Sequence, residues 1–213
     1  MKTAILSISL MLGLFLAAPA VCSADDSADT AAKPAKTVKR AKLKPEGKAG
    51  KAIARLKSFS PHKANAGAKY FILLQSASFC KPCNAEMPHV AEVHKEMKKK
   101  GLVEIILVSA DPTPDAAKGF LKKYNADLPA VMPDAGAKIP GFQRSQGIPA
   151  AQLIDADGNV LESGIGCINK WQQYESQAEA AIQAKEQEKA AAKEAKRAAA
   201  AEKKAAKGAT AAI

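Results

Sequence analysis

Apolar positions along the chain fall into two patterns. Residues 70–74 (Tyr70, Phe71, Ile72, Leu73, Leu74) and residues 103–108 are unbroken apolar runs. Runs without alternation suit parallel strands covered on both faces. Between them, Met87, Val90, Val93, His94 and Met97 recur at helical spacing and mark the buried side of a helix over residues 84–100. Pro88 is expected to kink that helix. Lys98, Lys99, Lys100 and Gly101 supply the cations and the glycine that end one. Thr113-Pro114-Asp115 reads as N-cap, first-turn proline and acidic first turn, which opens a helix to about Tyr124. Residues 125–147 carry Pro129, Pro133, Gly136, Pro140, Gly141 and Gly147 and read as one long connection. Residues 151–154 form a strand, residues 155–159 a hairpin turn and residues 160–165 the returning strand. The last helix begins at Asn169 or Lys170, with Trp171 packing on the core. Upstream, residues 51–58 predict a short helix with Ile53 and Leu56 on one face, and residues 61–69 a loop. The order is strand-helix-strand-helix-strand-strand-helix. One parallel crossover followed by a hairpin places the chain in the α/β class.

Length and charge sharpen this picture. The 213 residues suffice for one domain with extensions. The first 24 resemble a secretory signal: Lys2, an apolar stretch over residues 4–18, and small-x-small sites at Ala18-Pro19-Ala20 or Cys22-Ser23-Ala24. Export to a periplasm or cell surface is therefore expected, where disulfides persist. Lipid anchoring at Cys22 is the weaker alternative, since Pro19 and Val21 suit a lipidation site poorly. The net charge of +11 is uneven. Residues 25–69 hold +8, residues 70–171 are neutral with eleven charges of each sign, and residues 172–213 hold +2. The basic character thus belongs to the extensions, which argues against a charged substrate groove as the central function. Residues 25–50 are rich in Ala, Lys and Pro and are expected to stay a disordered basic linker. Seventeen of the last 42 residues are Ala, with Ile182 and Ile213 the only large aliphatics. That composition predicts a solvated helix, on which Glu186–Lys189 and Glu194–Arg197 can pair at i, i+3. Lys185, Lys189, Lys193 and Arg197 line one face, so contact with an anionic surface is one reading and a frayed solvated tail the other. Nucleic acid suits the composition but not the export signal.

The chemistry-bearing stretch is Phe79-Cys80-Lys81-Pro82-Cys83, at the junction of the first strand and its helix. There the unpaired N–H groups and the helix dipole favour a thiolate on the first cysteine, and the second lies one turn inward. Pro82 fits the first helical turn. This geometry supports thiol–disulfide exchange. Half of a zinc site and a static disulfide are the competing readings. Zinc needs two further spaced ligands, and Cys22, Cys167, His62, His89 and His94 offer no such pair. The histidines read as surface or satisfied core residues.

With these residues in view, the chain resembles the thioredoxin fold, and within it the exported thiol–disulfide oxidoreductases of the TlpA/ResA type. Phe79 to Cys83, Glu86-Met87-Pro88, and Gly147-Ile148-Pro149 ahead of residues 151–158 carry the match. It covers about residues 57–182, leaving a signal (1–24), a basic linker (25–56) and an Ala/Lys-rich tail (183–213) outside it. The resemblance implies a central mixed sheet flanked by helices. It also implies Cys80 as the exposed attacking thiolate, Cys83 as the resolving thiol and a cis Pro149 beside the disulfide. Phe79, Lys81, Pro82, Ile148 and Pro149 would meet the substrate. Partners would be protein thiols and disulfides and a redox protein that supplies or accepts electrons, with no cofactor or metal. Three departures stand out. Phe79 replaces the usual Trp, Gln75 and Ser76 replace an aromatic pair, and Leu74 stands where a buried Asp or Asn is common. Glu86 and Cys167 are possible auxiliary groups. Topology puts Cys167 two strands from Cys80, about 10 Å at the spacing of paired strands. A copper carrier and a redox-inactive adaptor are the rival functions. The family's copper-binding relatives usually place three residues between the cysteines, and this chain has two.

Overall fold

A computed structural model describes residues 43–210, with side chains through residue 200. The signal-like stretch, Cys22 and most of the linker lie outside the described residues. The elements are α1 (Gly47–Arg55), β1 (Tyr70–Ser76), α2 (Lys81–Lys100), β2 (Val103–Ser109), α3 (Pro114–Lys123), β3 (Ala130–Val131), α4 (Pro133–Gly136), β4 (Ala150–Asp155), β5 (Val160–Ser163) and α5 (Trp171–Thr210). A 3-10 segment, Ile165–Lys170, leads into α5.

The sheet order is β3-β2-β1-β4-β5. β1 pairs parallel to β2 from Tyr70↔Val103 to Ser76↔Ser109, and antiparallel to β4 from Tyr70↔Asp155 to Gln75↔Ala150. This is the mixed sheet flanked by helices of a thioredoxin-like fold. The central strands are buried throughout β2 and from Phe71 onward in β1, as their unbroken apolar runs require. Alternation along β1 divides the core. Ile72 and Leu74 pack with Met87, Val90 and Met97 of α2, Phe120 of α3 and Tyr174 of α5. Phe71 and Leu73 pack with Ile53 of α1, Ile106, Val131 and Ile154 on the other face.

Helix ends follow their local chemistry. Thr113 caps α3 by accepting a hydrogen bond from the Ala116 N–H at 3.3 Å. Gly101 ends α2 in the left-handed region at φ 71°, its N–H bonded to the Met97 carbonyl. Pro88 lies inside α2, which runs as one helix from Lys81 to Lys100.

Four expectations need correction. The helix read at residues 51–58 is α1, which begins at Gly47 and has Ala49 and Ile53 buried. Residues 47–50 are therefore not linker, and ordered structure starts ahead of the boundary expected at Lys57. The cause is the β4–β5 hairpin, whose Ala156 carbonyl accepts from the Ala49 and Gly50 N–H groups at 2.9 and 3.2 Å and so caps the helix. Gly47 permits that approach: its φ is 64°, and a Cβ there would sit 2.2 Å from the same carbonyl. Second, residues 125–147 are not one connection. They hold edge strand β3, paired as Leu107↔Ala130 and Val108↔Val131, and the short helix α4. Third, β5 ends at Ser163 rather than residue 165, where Gly164 turns the chain into the 3-10 segment. Fourth, α5 is the expected solvated helix, but neither Glu186–Lys189 nor Glu194–Arg197 is among its ion pairs. Among the residues with described side chains, its basic residues make one long contact, Lys185 with Glu46 at 4.0 Å.

Candidate functional site

Cys80 occupies the N-cap of α2. Its Sγ accepts a hydrogen bond from the Cys83 N–H at 3.2 Å, where a Ser or Asp oxygen would sit in an ordinary cap. Cys80 and Cys83 form a disulfide, with Cα atoms 5.2 Å apart. Cys83 is sealed at 1 % exposure, while Cys80 retains 9 %. The exposure expected of Cys80 is thus narrow: one edge of a mostly buried side chain reaches solvent. Reduction would leave the Cys80 sulfur on the open N–H groups of α2, where negative charge is favoured.

Across the disulfide, the Ile148–Pro149 peptide is cis, and the Ile148 carbonyl oxygen lies 3.6 Å from Cys80 Sγ. Ile148 and Pro149 are half-buried, whereas Lys81 and Pro82 are exposed. Phe79 stands out at 68 % exposure, a large apolar ring next to the sulfur. Phe79, Lys81 and Pro82 flank the cysteines in the chain, and of the cis pair it is the Ile148 carbonyl that faces the Cys80 sulfur. Leu74 is fully buried in β1, so that strand offers no acid near the cysteines.

Of the auxiliary residues, Glu86 is half-buried on α2 and makes no hydrogen bond or ion pair with a described residue. Cys167 lies in the same core cluster as Cys80 and Cys83. It is a free thiol at 3 % exposure, and burial, with the negative Glu162 next in weight, pushes it up to about 11. The thiolate needed for exchange is therefore scarce on Cys167 near neutral pH. His94 is a satisfied core histidine, its Nε2 2.7 Å from Glu104 Oε1. His89 meets Asn169 at the surface. Among the described residues, no group of three or more His, Cys, Asp or Glu is placed to hold a metal ion.

Sequence reasoning missed the network that shapes the loop before Cys80. Asp111, two residues past β2, is 3 % exposed. Its carboxylate accepts from the Ser78 N–H at 3.0 Å, from Ser78 Oγ at 2.5 Å and from Ser109 Oγ at 2.8 Å. Asn84, just after the motif, donates to the Ser78 and Cys80 carbonyls at 2.7 and 2.8 Å and accepts from the Tyr124 hydroxyl at 2.8 Å. The loop is thus tied to the end of β2 and, through Asn84, to the end of α3. A lone acid directly behind an apolar strand was the available signal, and nothing local said that it turned inward. Asp111→Ala strands the Ser78 and Ser109 donors and should destabilise the protein by about 3 kcal/mol, given bonds made to a charged acceptor. Thermal melting should then show a Tm lower by about 6–12 °C. Asp111→Asn keeps one acceptor and should lose less. Equal melting of Asp111→Ala and the parent would show that the network adds nothing to stability.

The chain is 44 % identical over 89 residues to thiol-disulfide oxidoreductase ResA of Bacillus cereus, covering 42 % of this chain and 50 % of that protein. It is 28 % identical over 93 residues to thiol-disulfide oxidoreductase ResA of Bacillus subtilis (strain 168), covering 44 % and 51 %. The chain spans about half the length of the curated relatives it matches. A thiol:disulfide interchange protein of Chlorobium tepidum TLS, of known crystal structure, aligns at 26 % identity and a TM-score of 0.40, over 46 % of this chain and 70 % of that one. The Redoxin family model matches residues 32–182, so it takes in the cysteine pair, the cis proline and the whole sheet. The chain belongs to the Redoxin family.

Proposed function

We propose that this protein is an exported thiol–disulfide oxidoreductase that exchanges disulfides with protein substrates through Cys80 and Cys83. The observation that carries the proposal is the capped sulfur: Cys80 Sγ accepts the Cys83 N–H at the start of α2 and keeps the only solvent edge of the pair. In the reducing direction, the Cys80 thiolate attacks one sulfur of a substrate disulfide. The other substrate sulfur leaves as a thiolate and takes a proton. Cys83 then gives up its proton and attacks Cys80 Sγ, which releases the second substrate thiol and closes the Cys80–Cys83 disulfide. Two electrons pass to the substrate, and a redox partner restores the dithiol. The reverse sequence oxidises a substrate dithiol. Phe79, Pro82, Ile148 and Pro149 form the contact surface, and the Ile148 backbone lies alongside the substrate strand. Lys81 adds a positive charge beside the thiolate.

Export rests on the signal-like first 24 residues. No helix among the described residues is long and apolar enough to cross a membrane. The basic segments on either side of the neutral domain, including Lys189, Lys193 and Arg197 of α5, suit contact with an anionic surface. The test of the activity is catalysis of insulin reduction by dithiothreitol. Precipitation of the insulin B chain should begin earlier with the protein than without it. Identical time courses would remove the oxidoreductase reading.

A further inference from the structure

Two buried amides lie on the sheet face away from α2. Gln75 near the end of β1 is 5 % exposed and Gln152 in β4 is 6 %. The register pairs Leu73 with Gln152 and Gln75 with Ala150, which makes the two glutamines diagonal neighbours on one face. Both side chains reach out of the sheet to the same short segment. Gln75 Nε2 donates to the Gln143 carbonyl at 2.8 Å, and Gln75 Oε1 accepts from the Ser145 N–H at 2.9 Å. Gln152 Oε1 accepts from the Gln143 N–H at 2.9 Å. Residue 143 is thus held at both its backbone donor and its backbone acceptor, and residue 145 at its donor. Residues 143–147 are otherwise exposed. Ile148, whose carbonyl faces Cys80, follows directly.

We propose that Gln75 and Gln152 are positioning residues: an amide clamp that fixes residues 143–145 and so sets where Ile148–Pro149 presents its backbone to a protein substrate at Cys80. The role rests on the disulfide-exchange reading above. A carboxamide is required at position 75 because it must donate to one peptide group and accept from another. Leucine does neither, and an ionised glutamate only accepts. Each strands a backbone group in a partly buried place. The clamp matters unequally for different substrates. A protein disulfide must lay its chain along Ile148 while it reacts, whereas glutathione disulfide needs only the Cys80 sulfur.

The experiment compares Gln75→Leu, Gln75→Glu and Gln152→Leu in the full chain. Steady-state reduction of insulin is measured beside exchange with glutathione disulfide. Each leucine variant should lose about tenfold in kcat/KM for insulin, mostly through KM, as expected for one or two missing hydrogen bonds. Glutathione exchange should stay within about twofold, because the Cys80 N-cap is untouched. Gln75→Glu keeps the acceptor for Ser145 and should fall between, which also serves if Gln75→Leu does not fold. The double leucine variant should lose less than the product of the singles, since both residues hold Gln143. Amide hydrogen exchange at Gln143 and Ser145 reads the clamp without reference to activity. Unchanged protection of those amides in the variants overturns the clamp. Lost protection with unchanged insulin kinetics, or equal loss on insulin and glutathione, overturns the positioning role. A parent protein that exchanges no disulfide at all removes the oxidoreductase reading and the positioning role with it, while the two amides still decide the clamp.

Discussion

Cys80→Ser is expected to bring disulfide exchange down to the uncatalysed rate, and Cys83→Ser to arrest it at a mixed disulfide. The asymmetry follows from the start of α2. Only Cys80 sits at the N-cap, where its sulfur receives an N–H and the positive end of the helix. Only Cys80 keeps a solvent edge, at 9 % against 1 %. A substrate disulfide therefore meets Cys80 first. A serine hydroxyl there is neutral at working pH and a far weaker nucleophile toward sulfur. With Cys83 replaced, attack survives but the sulfur that would resolve the intermediate is missing. Non-reducing electrophoresis of the Cys83→Ser protein incubated with oxidised substrate should show complexes that dithiothreitol dissolves, and the Cys80→Ser protein should show none. Complexes in Cys80→Ser alone would assign attack to Cys83, and complexes in both variants would show that attack is not reserved to Cys80. Alkylation of reduced protein gives the same ordering by another route, with Cys80 labelled well before Cys83.

Much of the domain was legible because its signals are local. The apolar runs of β1 and β2 need nothing beyond their own residues, and the spacing of Met87, Val90, Val93, His94 and Met97 placed the buried side of α2 correctly. The cysteine pair was legible for the same reason: a C-x-x-C between a strand and a helix carries its own context. The elements that escaped are those that another part of the chain completes. β3 is two residues long and exists because Leu107 and Val108 offer an open edge. α1 begins where it does because the Ala156 carbonyl, more than a hundred positions away, caps it. Asp111, Asn84, Gln75 and Gln152 belong to the same group. Each is a polar residue whose partners lie on another element, so its role appears only once the fold brings them together. Gln75 was visible as a departure from the pattern of the relatives, and only the folded chain shows which backbone it holds.

The thiol of Cys167 and the phenol of Tyr174 should make the oxidised protein sensitive to alkali. Burial pushes Cys167 from its ordinary 9.0 to about 11, with the charge of Glu162 adding to it. Burial likewise pushes Tyr174 from 10.0 to about 12, and the hydrogen bond from its hydroxyl to Glu162, 2.8 Å long, adds to it. Lys170, 2.7 Å from Glu162, offsets part of the effect on Cys167. A raised value means that the folded state binds the proton more tightly than the unfolded chain. The associated stability is therefore whole below pH 9 and is lost as pH climbs through the folded-state value. For Cys167, a rise of two units corresponds to about 3 kcal/mol lost between pH 9 and 11. Lys100, raised by its hydrogen bonds to Glu179 and Glu175, adds a decline in the same direction above its ordinary 10.5. The Cys80–Cys83 disulfide does not titrate and leaves the window clear. Urea midpoints of oxidised protein at pH 7.5, 9, 10 and 11 should fall steadily above pH 9. Cys167→Ala should flatten the decline between pH 9 and 10.5, where Cys167 is the dominant group, and retain the steeper part above it. Glu162→Gln should make both portions smaller, because its charge opposes ionisation of the thiol and the phenol alike. A parent whose midpoint is constant to pH 11, or a Cys167→Ala variant with an unchanged slope, would show that the thiol ionises as freely in the folded chain as in the unfolded one.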